Sequence, residues 1–225
     1  MTARFTLYGS PNSQFAYKVA LMLTLSGEPF AFRYVNFRKD MHLTDWFRGL
    51  SRWGQVPVLE HDGRALVQSP AILEYLADIL GRFLPDDAGD RLMVREWLYW
   101  NTDRLAWPIN ASWGIYLGQR KFLPIAVEPE IAAYIRDRTE RVLGQFEASL
   151  PATDFLAGAA PSIADICCYG DLPYARLCDY AMDAWPGIEA WARRVEALPG
   201  FKAPFDLLQL ADADIVSDAV RPPRP

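Results

Sequence analysis

Histidine and cysteine are scarce in this 225-residue chain, which holds two of the first and three of the second. With only His42 and His61 available, a histidine-based nucleophilic triad is hard to assemble, and neither an HExxH nor a CxxC motif occurs. Cys167, Cys168 and Cys178 lie within twelve residues of one another. An odd count without metal-ligand spacing predicts reduced thiols packed in a helix. His61 falls by a hairpin turn and is expected to be exposed. No run of about 18 apolar residues is long enough to span a membrane. The stretch Met1-Thr2-Ala3-Arg4 leads straight into a strand pattern without the apolar segment of a secretory signal. These absences predict a cytoplasmic location. A positive excess is missing too, since the net charge is -5, which argues against nucleic-acid and anionic-membrane partners. What remains is an ordinary globular composition, 51% hydrophobic and 23% charged. Its eight tryptophans can serve a large core or a pocket for flat apolar ligands.

Along the chain, "RFTLY" at residues 4–8 reads as a strand. Ala16, Val19, Ala20 and Leu23 then recur at helical spacing up to a C′ glycine, Gly27. "FAFRYVNF" reads as a second strand, and "DMHLTDWFRGLSRWG" as an irregular stretch with room for one helical turn. "VPVLE" and "ALVQ" flank an Asp62-Gly63 turn and predict a hairpin. "SPAILEYLADILG" then predicts a helix with Ser69 as N-cap, Pro70 at N1 and Gly81 at C′. Residues 1–82 therefore read as one β-α-β-(α)-β-β-α domain. Residues 83–90, "FLPDDAGD", read as a linker, 91–205 as an all-helical domain, and 206–225 as a C-terminal tail.

Three local signals carry chemistry. Ser10, Asn12 and Ser13 crowd the first strand–helix turn. They either cap the helix or serve an anion, because a helix N-terminus carries unpaired N–H groups and about half a positive charge. In "GQVPVL" Pro57 opens a strand. It is either an edge proline in trans, or a cis residue that turns the N–H and C=O of Val56 outward for an extended peptide. In "VQSP", Gln68 and Ser69 stand at another helix mouth suited to a carboxylate. A fourth motif, "SIADI", has the S-x-x-D spacing of a capping box at Ser162 and Asp165.

In this order, and joined to an all-helical second half, the motifs resemble the cytosolic glutathione transferase superfamily, in its serine-type theta-, phi- and bacterial-like members. The resemblance covers residues 4 to about 200. It implies a thioredoxin-like α/β domain that binds glutathione, an all-α C-terminal domain, and a homodimer. It makes Ser13 the group that stabilises the glutathione thiolate, with Asn12, Ser10 and Tyr8 as successive alternatives. Val56 beside a cis Pro57 would bind the cysteinyl backbone, Gln68 and Ser69 the γ-glutamyl end, and Gln55 and His42 the glycine end. An acid on the first long helix of the second domain, Asp103, would reach the glutathione of a partner subunit. Phe15, Trp107, Trp113 and Tyr116 would line a hydrophobic co-substrate pocket. The stripe Trp97, Trp100, Asp103, Arg104 and Trp107 otherwise reads as packing. The chain departs from the family at Leu43 and Gln68, where lysine or glutamate is frequent. The first turn holds no cysteine, which argues against thiol-transferring, omega-like chemistry.

The implied mechanism needs no metal, because the nucleophile is the substrate's own sulfur. A free thiol has a pKa near ~8.5, and lowering it by about two units takes roughly 2.7 kcal/mol. One hydrogen bond to the charged form, about 1.5–3 kcal/mol, and a helix end, about 0.3–1 kcal/mol, cover that. The expected reaction is conjugation of glutathione to small hydrophobic electrophiles. Disulfide reduction, peroxidase, isomerase or dehalogenase chemistry on the same site, and a non-catalytic binding module, are the alternatives.

Overall fold

The computed structural model describes residues 3–209; most of the expected 206–225 tail therefore lies outside the described residues. The chain divides into two units. One runs to Arg82 and regains the chain from Pro199, and the other covers Phe83–Leu198. The segment from Pro199, expected in the helical domain, thus belongs with the first unit.

The first unit is built on a four-stranded sheet in the order β2-β1-β3-β4, from β1 (Phe5–Gly9), β2 (Phe30–Tyr34), β3 (Val58–His61) and β4 (Arg64–Val67). β1 pairs parallel with β2 and antiparallel with β3, and β3 pairs antiparallel with β4. Asp62 and Gly63 both take positive φ, 48° and 74°, as a two-residue hairpin turn demands. Helix α1 (Gln14–Leu25) is buried along almost its whole length. It can lie this close to β1 because Gly9 has no side chain: a Cβ there would sit 2.7 Å from the Ala16 Cβ. The other sheet face is covered by a cluster of Val35, Phe47 and Val58, joined by Tyr8, Phe37, Met41, Leu50 and Val56. Phe47 belongs to α2 (Asp45–Leu50), a full short helix within the stretch read as irregular. Helix α3 (Ser69–Leu80) ends at Gly81 with φ 63°. Its cap is Gln68, and Ser69, expected as the cap, is instead the first helical residue.

His61 corrects the expectation of an exposed histidine, since it is only 4% exposed. The turn begins one residue later. His61 closes β3 on the same side as Leu59, stacks on Phe5 at 4.5 Å, and meets Arg4 Nε and Tyr75 Oη at 3.0 and 2.7 Å.

The second unit consists of α4 (Ala88–Trp100), α5 (Ala106–Gln119), α6 (Pro129–Ser149), α7 (Ile163–Tyr169), α8 (Leu172–Leu177) and α9 (Pro186–Glu196). A π-helical segment, Asn101–Leu105, joins α4 to α5. The S-x-x-D motif forms its capping box: Ser162 N–H and Oγ donate to Asp165 Oδ2 at 2.9 and 3.0 Å. Asp165 Oδ1 accepts from Leu156 N–H and Trp191 Nε1, both at 2.9 Å. All three cysteines are buried and none forms a disulfide among the described residues. No helix of the described residues is long and apolar enough to cross a membrane. In the first unit, α10 (Pro204–Leu207) follows a segment in which Lys202 C=O accepts from the Tyr17 hydroxyl of α1 at 2.9 Å.

Candidate active site

Strand register brings the three N-terminal signals to one end of the sheet. Tyr8 lies opposite Val58, and Val58 opposite Val67. The turn after β1, the residues before β3 and the residues after β4 must therefore emerge together. Ser10–Ser13, Gln55–Pro57 and Gln68–Ser69 share this edge.

Ser13 is the N-cap of α1, and its Oγ accepts from Ala16 N–H at 3.2 Å. A hydroxyl has two lone pairs and one hydrogen, so this bond leaves the O–H able to donate. Capping and anion binding are thus compatible in one side chain. Ser10 is buried, with Oγ accepting from Asn12 N–H at 3.2 Å. Asn12 is half-buried in the same turn. Tyr8 is committed elsewhere: its hydroxyl donates to Glu60 Oε2 at 2.5 Å. Burial, with the bond to Glu60 and that carboxylate's charge, pushes the phenol up to about 12. A phenol whose hydrogen is held by a carboxylate has none left for a thiolate.

The Val56–Pro57 peptide is cis. Val56 stands two residues before the β1–β3 ladder begins at Val58. The preceding turn is fixed by Ser51, fully buried, whose Oγ accepts from Gln55 N–H at 3.0 Å and donates to Gln55 C=O at 2.8 Å. Gly54 takes φ 62°, and a Cβ there would lie 2.9 Å from the His42 carbonyl oxygen. The turn that carries Gln55 is therefore packed directly on the segment that carries His42. The His42 ring stacks on Phe37 at 4.5 Å. Sequence reasoning missed Ser51 because a lone serine in an irregular stretch has no periodic signal.

Gln68 holds φ 71° and ψ 109°, a left-handed conformation for a non-glycine residue. Such a position costs about 1–3 kcal/mol and concentrates at ligand sites. Ser69 is buried at the first turn of α3.

The residues named in the helical unit do not share one surface. Trp113 is 2% exposed, stacked on Tyr116 at 5.3 Å and edge-on to Tyr174 at 5.4 Å. Trp107 is 50% exposed. Six and nine residues along a helix turn a side chain by about 120° and 180°, so Trp107 points away from the face that carries Trp113 and Tyr116. The tryptophan stripe is broken as well. Trp97 and Trp100 pack on Phe146 at 5.6 and 5.5 Å, whereas Asp103, Arg104 and Trp107 are exposed. The wider π turn between them rotates everything downstream. Asp103 pairs with its neighbour Arg104 at 2.6 Å. Phe15 is half-buried on α1, with Lys18 Nζ 5.2 Å from its ring centre. Among the described residues, no group of three or more His, Cys, Asp or Glu side chains could hold a metal ion.

A mixed-sheet thioredoxin-like unit with a hydroxyl-capped helix at its polar edge, followed by a helical unit, defines the glutathione transferase fold. The chain matches the family descriptions "Glutathione S-transferase, N-terminal domain" over residues 12–79 and "Glutathione S-transferase, C-terminal domain" over residues 119–194. It is 30% identical over 219 residues to glutathione S-transferase theta-2 of Mus musculus, covering 94% of this chain and 86% of that protein. It is also 30% identical over 211 residues to maleylacetoacetate isomerase of Rhizobium meliloti, covering 90% and 96%. Human glutathione transferase theta-2, solved in complex with glutathione and an unknown ligand, is similar in structure with a TM-score of 0.76. That likeness is at 26% identity and covers 86% of this chain and 82% of that one. The chain belongs to the glutathione S-transferase superfamily and is an enzyme of the glutathione transferase kind.

Proposed function

We propose that the protein conjugates the glutathione thiolate to small hydrophobic electrophiles, acting as a cytoplasmic homodimer. The observation that carries this is the convergence of Ser13, Val56 and Gln68–Ser69 on one sheet end, each with the group its task requires. The Ser13 O–H donates to the sulfur, and the N-terminus of α1 favours its negative charge. Val56 offers backbone N–H and C=O to the cysteinyl residue. Gln68, Ser69 and the first turn of α3 hold the γ-glutamyl carboxylate, while Gln55 and His42 take the glycine end. Phe15, half-buried on α1, is the apolar surface of this unit left for the acceptor, and Asp103 reaches the partner subunit's glutathione. Mixing the protein with glutathione at neutral pH is expected to raise the ultraviolet absorbance of the thiolate. Conjugation of an aryl halide should outpace reduction of a model disulfide, and no thiolate signal would defeat the reading. Similarity to an isomerase supports a second reading, in which the thiolate adds reversibly to a conjugated double bond. Recovery of an isomerised product without consumption of glutathione would identify it.

Two results follow from the site's supports. Ser51→Ala removes both bonds to Gln55, about 1–1.5 kcal/mol of backbone positioning. The KM for glutathione should rise about tenfold with kcat little changed, because ground and transition states lose the contact alike. Steady-state kinetics with glutathione varied will check it.

Tyr8→Phe should retain turnover within a few-fold and keep the wild-type pH–rate profile. The folded phenol titrates at about 12, above its ordinary 10.0. Its neutral form is therefore the one the fold favours. That contribution is complete below the ordinary tyrosine value and disappears as pH rises through about 12. A rise in rate nearer neutrality belongs to the thiol. Loss of that limb in Tyr8→Phe would return the thiolate-stabilising role to the tyrosine.

A further inference from the structure

Two partners from different parts of the sheet-bearing unit hold the buried His61 ring, and one of them fixes where its hydrogen lies. Arg4 Nε, just ahead of β1, stands 3.0 Å from His61 Nε2. A guanidinium only donates and keeps its charge, so Nε2 must present a lone pair to it. The ring is therefore neutral and carries its hydrogen on Nδ1, which donates to Tyr75 Oη of α3 at 2.7 Å. Phe5, opposite His61 in the β1–β3 ladder, stacks on the ring at 4.5 Å. Three further charged groups face this cluster. Asp62, in the hairpin turn, places Oδ2 3.4 Å from the same Nε2. Glu28, after α1, places Oε2 3.9 Å from Arg4 Nη1. Arg64 of β4 lies opposite His61 in the ladder and is exposed. One ring nitrogen thus has an arginine bonded to it and a carboxylate within reach.

We propose that this cluster is an acid-sensitive latch on the Phe5 end of the sheet. Imidazole is the side-chain type whose charge changes between about pH 5 and 8, which makes mild acid the trigger. A proton added to Nε2 sets two donors against each other and brings two positive charges together. The Arg4 bond breaks. Nε2–H turns to Asp62 Oδ2, Nδ1–H keeps Tyr75, and Arg4 moves to Glu28. The ring stays anchored while the chain ahead of β1 loses its tie to β3. The opposite end of the ladder, where Tyr8 faces Val58, takes no part, so the latch stands apart from the glutathione chemistry.

Nitrogen-15 NMR of the intact protein tests the latch directly. His42 is the only other histidine in the chain, and His61→Gln identifies which signals belong to position 61. At neutral pH the His61 ring should carry its hydrogen on Nδ1 alone, and at about pH 5 on both nitrogens. Amide hydrogen exchange, corrected for the intrinsic effect of pH, should show the Phe5–His61 end opening about fivefold more often in acid. That is the equivalent of one partly exposed hydrogen bond. Exchange at the Tyr8–Val58 end should stay level. His61→Gln keeps an acceptor for Arg4 and does not titrate, so its exchange should be level at both ends. In Arg4→Gln the amide donates to the neutral ring or, turned over, accepts from the charged one. The acid response there should shrink below about twofold. A hydrogen on Nε2 at neutral pH overturns the inference, as does a ring still neutral at about pH 5. So does a ring that gains its proton while exchange at the Phe5–His61 end stays unchanged. An acid response that persists in His61→Gln at native thermal stability overturns it too. Should that variant be unstable, the wild-type ring signals and Arg4→Gln decide alone.

Discussion

Ser13→Ala is expected to lower kcat by about ten- to a hundredfold, the rate equivalent of one hydrogen bond to a charged group. Glutathione affinity should change far less, because in the proposed site Val56, Gln55, Gln68 and Ser69 would still hold the tripeptide. The apparent thiol pKa in the complex should climb about one to two units toward the free-thiol value. The pH–rate profile would move upward with it, so the deficit shrinks in alkaline buffer. The variant also loses the cap bond to Ala16 N–H, worth about 1 kcal/mol of stability. Ser13→Thr separates the effects, since it keeps a cap oxygen and a hydroxyl donor. Recovery of turnover and thiol pKa in Ser13→Thr assigns the loss to the O–H. Equal loss of affinity and turnover in Ser13→Ala would place the sulfur elsewhere.

The largest stability effect is expected at Asp165. Its buried carboxylate accepts from Ser162 N–H and Oγ, Leu156 N–H and Trp191 Nε1. Burial pushes the carboxyl pKa up, and these four bonds act in the opposite direction. Asp165→Ala strands two backbone N–H groups and an indole N–H in the interior at once, where each orphan donor costs about 1–3 kcal/mol. The costs overlap, because a cavity admits water. A net loss of about 3–5 kcal/mol is expected, comparable to breaking a buried ion pair. For a chain of this size that lowers Tm by roughly 10 °C or more. Differential scanning calorimetry will measure it, and a drop of only a degree or two would show that the cap is incidental. Asp165→Asn should fall between, because its amide keeps one acceptor oxygen.

The architecture was legible where periodicity or turn chemistry is local. Asp62-Gly63 announced its hairpin, Gly27 and Gly81 their helix ends, and Ser162–Asp165 its capping box. The polar sheet end was legible only through the family resemblance, because it is assembled by strand register across residues far apart in the chain. α2 was legible only as a single turn, since its six residues hold one fully buried side chain, Phe47, too little for a helical period. The break in the tryptophan stripe was hidden for a different reason. A π turn changes the residue count per revolution without changing composition, so Trp107 looked continuous with Trp97 and Trp100. His61 was misread by one position, because strand alternation carries burial right up to the turn.

The return of the chain to α1 at Lys202 has a bearing on biosynthesis. A ribosome emits the sheet and its first helices early, yet the last piece packed against them arrives only after the whole helical unit has been made. A fragment cut at Arg82 would leave the Tyr17 hydroxyl without the carbonyl that normally accepts from it. The sheet-bearing part of this enzyme is therefore finished last, although it is begun first.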